Sequence, residues 1–341
     1  MRKFVFAVIL LIGVIYVITR SADLQAIVET LQRGDWRFLF LALGVQLLWL
    51  TNVAFSFKAI YRILGIKVSV LDLLPVASAA NFLNIVAPSA GVSGMAMFVT
   101  EARRRNYSPG KAAVAGALFL LFDYGAFMLV LALGLVVLLR RNHLDAGELI
   151  PSAALFGFFL VLATLLYLGA RSAERLGQAL VWMARQVNCL ARPFIKRDYL
   201  SEKRAFEFAK DAAEGILAMI RQPDKMVAPT ILAISMQVLL ILVLFLSFLA
   251  FQVPVSFGTL IAGFSIGYLF LIVSPTPAGL GFVEGMLALT LRSMYVPFGA
   301  AAVITITYRG FTFWVPFFMG MLSFRWLDRT GTYKKETAEN S

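Results

Sequence analysis

Long apolar runs separated by short polar stretches occupy most of this sequence. A helix rises about 1.5 Å per residue, so roughly 20 apolar residues cross the roughly 30 Å hydrocarbon layer of a bilayer. Eight runs match or approach that length: 4–19, 36–57, 70–88, 111–139, 149–170, 226–250, 257–274 and 298–324. Two shorter segments, 91–106 and 282–294, each follow a Pro/Gly break and read as broken or re-entrant helices. The short alternating segments of a transmembrane β-barrel are not seen. The predicted fold class is therefore all-α: a polytopic transmembrane helical bundle of about eight spans plus two short broken helices.

Elsewhere the pattern changes. The run at 4–19 follows Arg2 and Lys3 and lacks a small-x-small cleavage site, so it reads as an uncleaved first helix. Residues 21–33 form a mildly amphipathic interfacial segment, and Trp36 and Trp49 read as interface anchors. Over 171–225, apolar residues recur at helical spacing: Leu176, Leu180 and Met183, then Phe206, Phe208, Ile216 and Leu217. That spacing predicts amphipathic surface helices in a cytoplasmic loop. From 325 to 341 the chain is a polar tail.

Composition agrees with the pattern. Only 15% of residues are charged, 60% are hydrophobic, and mean hydropathy is +0.82. Soluble domains carry roughly a quarter charged residues. The net charge of +12 comes from Lys and Arg placed between apolar runs, which fits anionic lipid headgroups and gives no basic soluble face for nucleic acid. Taking the N-terminus as cytoplasmic places 24 of the 31 basic residues inside and six outside, with Arg309 left within the membrane. The positive-inside rule then puts both termini in the cytoplasm. One cysteine, Cys189, and one histidine, His143 in a short polar loop, leave no internal disulfide and no cysteine metal cluster. No Ser-His-Asp, HExxH, P-loop or GxGxxG pattern occurs, so no catalytic residue, metal or cofactor is assigned.

Two stretches share a layout. The first reads Ile85-Val86-Ala87-Pro88, Gly91, Gly94, Tyr107, Pro109 and Ala112-Ala113; the second reads Ile272-Val273-Ser274-Pro275, Gly279, Gly281, Tyr295, Pro297 and Ala300-Ala301. The offset is 187 at the prolines and 188 at the tyrosines. Within a single membrane domain spanning 1–341, this defines one repeat at about 70–139 and another at about 257–324. The orientation above makes the repeats inverted, the arrangement from which many transporters build a site near the midplane. Pro88, Gly91, Pro275, Pro277, Gly279 and Gly281 mark the helix breaks. Polar backbone at such depth is tolerated only against protein or a wet cavity.

Asp123 and Arg309 lie well inside apolar runs, and Glu284 lies in the short apolar helix after the second break. Each charge costs about 2.5–3.5 kcal/mol at a spanning helix's centre, so each should face a partner or water. Glu284 lies in the first turn after Gly281, where the helix dipole also favours a carboxylate. One reading is a polar cavity in which Arg309 holds a phosphate while Glu284 and Asp123 meet a cationic headgroup or a proton. Tyr308, Asn84 and Asn81 complete that candidate binding set. The other reading is a buried ion pair that fixes helix register. Arg103-Arg104-Arg105 with Glu101 reads as an interfacial anchor.

The string Ser274-Pro-Thr-Pro-Ala-Gly-Leu-Gly-Phe-Val-Glu284, followed by Val296-Pro297, Ala300 to Ala302, Tyr308-Arg309 and Trp314-x-Pro316, resembles the transmembrane region of the lysylphosphatidylglycerol synthases and the stand-alone flippase-like proteins related to it. The first half departs from that family's Pro-x-Gly-x-Gly-Glu and Glu-Arg-x-x-Asp. Pro88, Gly91 and Asp123 remain, but Ser93-Gly94 stand in place of Gly-Glu and Leu120 in place of Arg. The resemblance implies translocation of a phospholipid or lipid-linked headgroup across the bacterial inner membrane. It does not imply synthesis, because aminoacyl transfer resembles the work of an additional soluble domain that these 341 residues do not include. The implied partners are phospholipids, anionic or aminoacylated, with no nucleic acid. A second copy of the chain, or an enzyme docking through 171–225, is the protein partner to expect. A non-catalytic scaffold and a membrane-embedded lipid transferase are the competing functions.

Overall fold

The computed structural model describes residues 34–87, 92–141, 146–191, 202–274 and 276–329, together with Thr30 and Gln32. The expected first helix at 4–19, most of the interfacial segment, Pro88, Gly91, His143, Pro275 and most of the polar tail lie outside the described residues. The described residues are helical throughout, joined by turns, with no strand among them. In chain order the helices are α1 (Trp36–Ile63), α2 (Val70–Val86), α3 (Val92–Arg104), α4 (Pro109–Arg140), α5 (Ala146–Arg171), α6 (Ala173–Ala191) and α7 (Glu202–Ile220). There follow α8 (Val227–Ala250), α9 (Phe257–Val273), α10 (Phe282–Ser293), α11 (Phe298–Arg309) and α12 (Val315–Arg329).

Local chemistry sets the starts of these helices. Asp35, Ser69, Ser108 and Ser256 are N-caps whose side chains accept from backbone N–H groups of the first turn. Pro109 opens α4, where its missing N–H has no intrahelical role. Five helical stretches are long and apolar enough to cross a membrane: Trp36–Ile63, Pro109–Arg140, Gly147–Arg171, Pro223–Ala250 and Phe298–Asp328. The apolar helices α2 and α9 have 17 residues each, about 26 Å at 1.5 Å per residue. Each stops at its break and packs back against the short helix that follows, α2 on α3 and α9 on α10.

Two runs of elements carry the same order. A helix of 28 residues precedes a helix of 17, then one of 12 or 13, then a stretch of 31 or 32. Residues in the left-handed region, Asn106 and Tyr295, turn the chain before each long stretch. The runs interlock crosswise: α1 lies along α8, α2 on α12 and α9 on α4. The closest approaches repeat as well. A Cβ on Gly134 would overlap the Ser265 side chain, and one on Gly320 would overlap the Ser78 carbonyl. Ser78 and Ser265 stand 187 residues apart, the same spacing as the prolines of the two breaks.

The 171–225 region forms α6 and α7, which pack on each other and on α5, with α7 also packing on α4. Leu176 and Ile216 are buried, whereas Phe206, Phe208 and Leu217 are exposed. The face of α7 that closes on the bundle is lined mainly by small residues, Ala209, Ala212 and Ala213, because Gly215 already brings the helix close to Leu64 and Val114. Small side chains permit that approach, while the Phe206 ring lies against Gly177 of α6.

Candidate functional site

Helices from both runs enclose a cavity of about 210 Å³. Its wall includes Gln46 and Trp49 of α1, Asn81 and Asn84 of α2, Gly94 of α3, Leu120 and Asp123 of α4, and Tyr268 of α9. Tyr308 and Arg309 close α11, and Ala278, Thr312 and Phe313 complete the polar end. Trp49, expected as an interface anchor, faces this cavity instead, because it lies on the side of α1 that packs inward.

The break after α9 is built from left-handed backbone. Ala278, Gly279 and Gly281 have φ of 48°, 69° and 77°. Glycine adopts such angles without a Cβ penalty, which explains two of the three positions; Ala278 is held there by its surroundings. Ser274 and Thr276 bond to each other across the turn at 2.9 Å. The Ala278 carbonyl points at Arg309 and accepts from its Nη2 at 2.7 Å. Arg309 Nε donates to Glu284 Oε1 at 2.8 Å, and the guanidinium lies over the Phe313 ring at 5.1 Å. Both charged residues are buried, Arg309 at 4% exposure and Glu284 at 7%. Immediately after Arg309 the helix widens into a π-helical turn, Gly310–Trp314. Such turns recur at functional sites because the extra residue re-aims side chains.

Glu284 is absent from the cavity wall. It stands behind Arg309 and fixes the guanidinium, so only the arginine of this pair is presented to the cavity. Asp123 lines the wall separately. Its Oδ1 accepts from Gln237 Nε2 at 2.8 Å and its Oδ2 from the Tyr268 hydroxyl at 3.1 Å.

The break after α2 is neutral. Asn84 Oδ1 accepts from the Gly94 N–H at 2.6 Å and lies 2.9 Å from Ser93 Oγ. A Cβ on Gly94 would overlap Asn84 and the Ala80 carbonyl, so Asn84 fills the space that a longer side chain there would need. Of the break residues expected from the sequence, Pro277, Gly279 and Gly281 are buried in the second break, while Pro88, Gly91 and Pro275 lie outside the described residues. Among the described residues no three His, Cys, Asp or Glu side chains come together to hold a metal ion.

A model of the lysylphosphatidylglycerol synthase TM region matches residues 4–320. The chain belongs to that family. No curated protein matches it. The lysylphosphatidylglycerol synthase family match covers a membrane region only, and with the apolar helices above it makes the protein a polytopic integral membrane protein. Membership relates the protein to lipid modification or lipid transport. The charged pair Glu284 and Arg309 sits at the second break. At the first break this chain carries Gly94 and Leu120, both uncharged.

Sequence reasoning missed four polar residues at the site. Gln46 and Trp49 line the cavity directly, Tyr268 both lines it and holds Asp123, and Gln237 holds Asp123 from α8. One signal was available: Gln46, Trp49, Asn52 and Ser56 recur at spacings of three and four along an otherwise apolar helix. That seam marks the face of α1 turned away from lipid.

Proposed function

We propose that the protein is a flippase-like transporter that carries the headgroup of a phospholipid or lipid-linked molecule across the bacterial cytoplasmic membrane, with both termini in the cytoplasm. The observation supporting this reading is the buried Arg309, fixed by Glu284 on a broken helix and presented to a cavity among apolar helices whose largely apolar wall carries a few polar groups. A polar headgroup crossing hydrocarbon loses hydrogen bonds to water. A row of fixed polar groups at membrane depth replaces them, which lowers the barrier. The cavity volume limits what enters. About 210 Å³ lies below the roughly 300–1,000 Å³ of sites that engulf a drug-sized molecule. The headgroup enters while the acyl chains stay in the bilayer, where each buried CH₂ is worth about 0.8 kcal/mol.

The crosswise packing of the two runs gives the movement its geometry. The hairpins α2–α3 and α9–α10 approach the cavity from different runs, and in the proposed inverted arrangement they close it from opposite membrane faces. Rocking one against the other exposes the cavity to each side in turn.

The test is lipid movement in reconstituted liposomes with acyl-labelled fluorescent phospholipids. Wild type is expected to equilibrate the leaflets at least about tenfold faster than Arg309→Ala, a loss of about 1.4 kcal/mol or more of barrier lowering. Removing the arginine alone leaves Glu284 buried without its partner. The double replacement Glu284→Leu with Arg309→Met therefore serves as a control that lacks the guanidinium but keeps a matched interior. Equal rates in wild type and in a folded double variant would discard the transport reading.

A further inference from the structure

Asp123 is an acid without a counter-charge. It sits near the middle of the 32-residue α4, buried, and lines the cavity. Both of its oxygens are held by neutral donors, Oδ1 by Gln237 Nε2 and Oδ2 by the Tyr268 hydroxyl. Among the described residues no Lys, Arg or His pairs with it. Of the helices packed on α4, α9 presents Tyr268 to it, α8 presents Gln237, and α1 brings Gln46 and Trp49 to the same cavity. The charged side chains of α3, α5 and α7 form no hydrogen bond or ion pair with it. Tyr268 and Tyr124 are the titratable groups that feel its charge. Arg309 shares the cavity wall, but its charge is matched by Glu284, whose Oε2 is itself buried and unpartnered. That pair has no positive charge to spare. With Asp123 ionised, the site holds two negative charges and one positive. A lone charge at membrane depth is costly and marks a functional group.

Gln237 supplies the second observation. Its Oε1 is buried and has no hydrogen-bond partner among the described residues. With Nε2 toward Asp123, the amide serves the ionised acid and leaves that oxygen unmet. Turned over, Oε1 takes the same 2.8 Å contact and accepts the O–H of a protonated carboxyl. One contact therefore fits either charge state. A lysine there would hold Asp123 ionised, and a leucine would give it no partner. Resting on the transport reading above, we infer that Asp123 is a proton-binding site and that its proton travels with the headgroup. The proton comes from water on one face and bonds to Oδ1. It leaves to water on the other face, which restores the carboxylate. An ionised Asp123 gives the site a net negative charge and opposes an anionic phosphate; the protonated acid does not. A metal ion fits less well, because an amide N–H and a hydroxyl already aim hydrogens at the two carboxylate oxygens.

Infrared spectroscopy of the full-length protein in detergent reads the site without transport. The expected result is a carboxylic acid C=O band that disappears reversibly as pH is raised. The band is missing in Asp123→Asn and shifts in frequency in Tyr268→Phe, which stands in where Asp123→Asn fails to fold. No such band, a band that persists at every pH, or one that both variants leave unchanged overturns the inference. Coupling is read in liposomes with a trace of an anionic, acyl-labelled phospholipid. A gradient of about one pH unit biases a one-proton exchange about tenfold. In wild type the labelled lipid is therefore expected to accumulate about tenfold on the alkaline side, falling to within about twofold in Asp123→Asn. Even distribution in wild type, with movement still dependent on Arg309, leaves transport standing and overturns the coupling. So does the same accumulation driven by a sodium gradient at equal pH, which assigns a metal ion instead. If no lipid moves, the transport reading falls, and the infrared band alone decides whether Asp123 binds a proton.

Discussion

Glu284→Ala is expected to lower the unfolding free energy by about 3–5 kcal/mol, more than replacing both members of the pair. The carboxylate accepts from Arg309 at 2.8 Å in a place where both side chains are almost wholly excluded from solvent. Removing it leaves a guanidinium with one carbonyl and an aromatic face as its remaining partners, Ala278 and Phe313. An unpaired buried charge is the costly state; a matched apolar pair is not. The double variant Glu284→Leu with Arg309→Met should therefore regain at least half of the loss. Thermal unfolding in detergent of the two single variants and the double one measures this cycle. Losses that simply add would show that the two groups do not act on each other.

The second large effect concerns the first break. Gly94 and Leu120 lie 190 and 189 residues before Glu284 and Arg309, and the two runs of helices share element order across that offset. If the breaks are equivalent, a charged pair fits the first one once space is made. In an Asn84→Ala background, Gly94→Glu and Leu120→Arg should each destabilise by about 3–5 kcal/mol, as unpaired buried charges do. Together they should restore a large part of that loss. In the presence of Asn84, Gly94→Glu is worse still, since even a Cβ overlaps Asn84 and the Ala80 carbonyl. Thermal unfolding of the single and combined variants decides the matter. No recovery in the combination would mean that the two breaks are not built alike.

Much of this architecture was readable from residues. Spanning helices announce themselves because hydrocarbon demands long apolar runs and offers backbone groups no partner. Arg309 and Glu284 were conspicuous for the same reason, as charges where charge is costly. Their pairing follows from the turn at Tyr295, which folds α11 back along α10 and sets Arg309 beside the first turn of α10. What the sequence left open was direction. Two readings of Glu284 stood open, a ligand-facing carboxylate and a buried ion pair, and the carboxylate faces Arg309; a carboxylate in the first turn of a helix has no sequence mark that tells front from back. Gln46 is one of only two amides, with Asn52, in 28 largely apolar residues, and its meaning depends on α8 lying beside α1, a contact between residues nearly two hundred positions apart. The π-helical turn after Arg309 has no composition signal either. It is set by how α11 and α12 meet the rest of the bundle, a tertiary effect that local propensity does not encode.

The proposal rests on a headgroup reaching Arg309 while its chains remain in the bilayer. An experimental structure of the protein in nanodiscs of bacterial lipid tests that most directly. The account predicts headgroup density bounded by Arg309, Asp123 and Gln46, continuous with acyl density that leaves between helices. A cavity that holds only water in every class, with ordered lipid confined to the outer surface of the bundle, would contradict it.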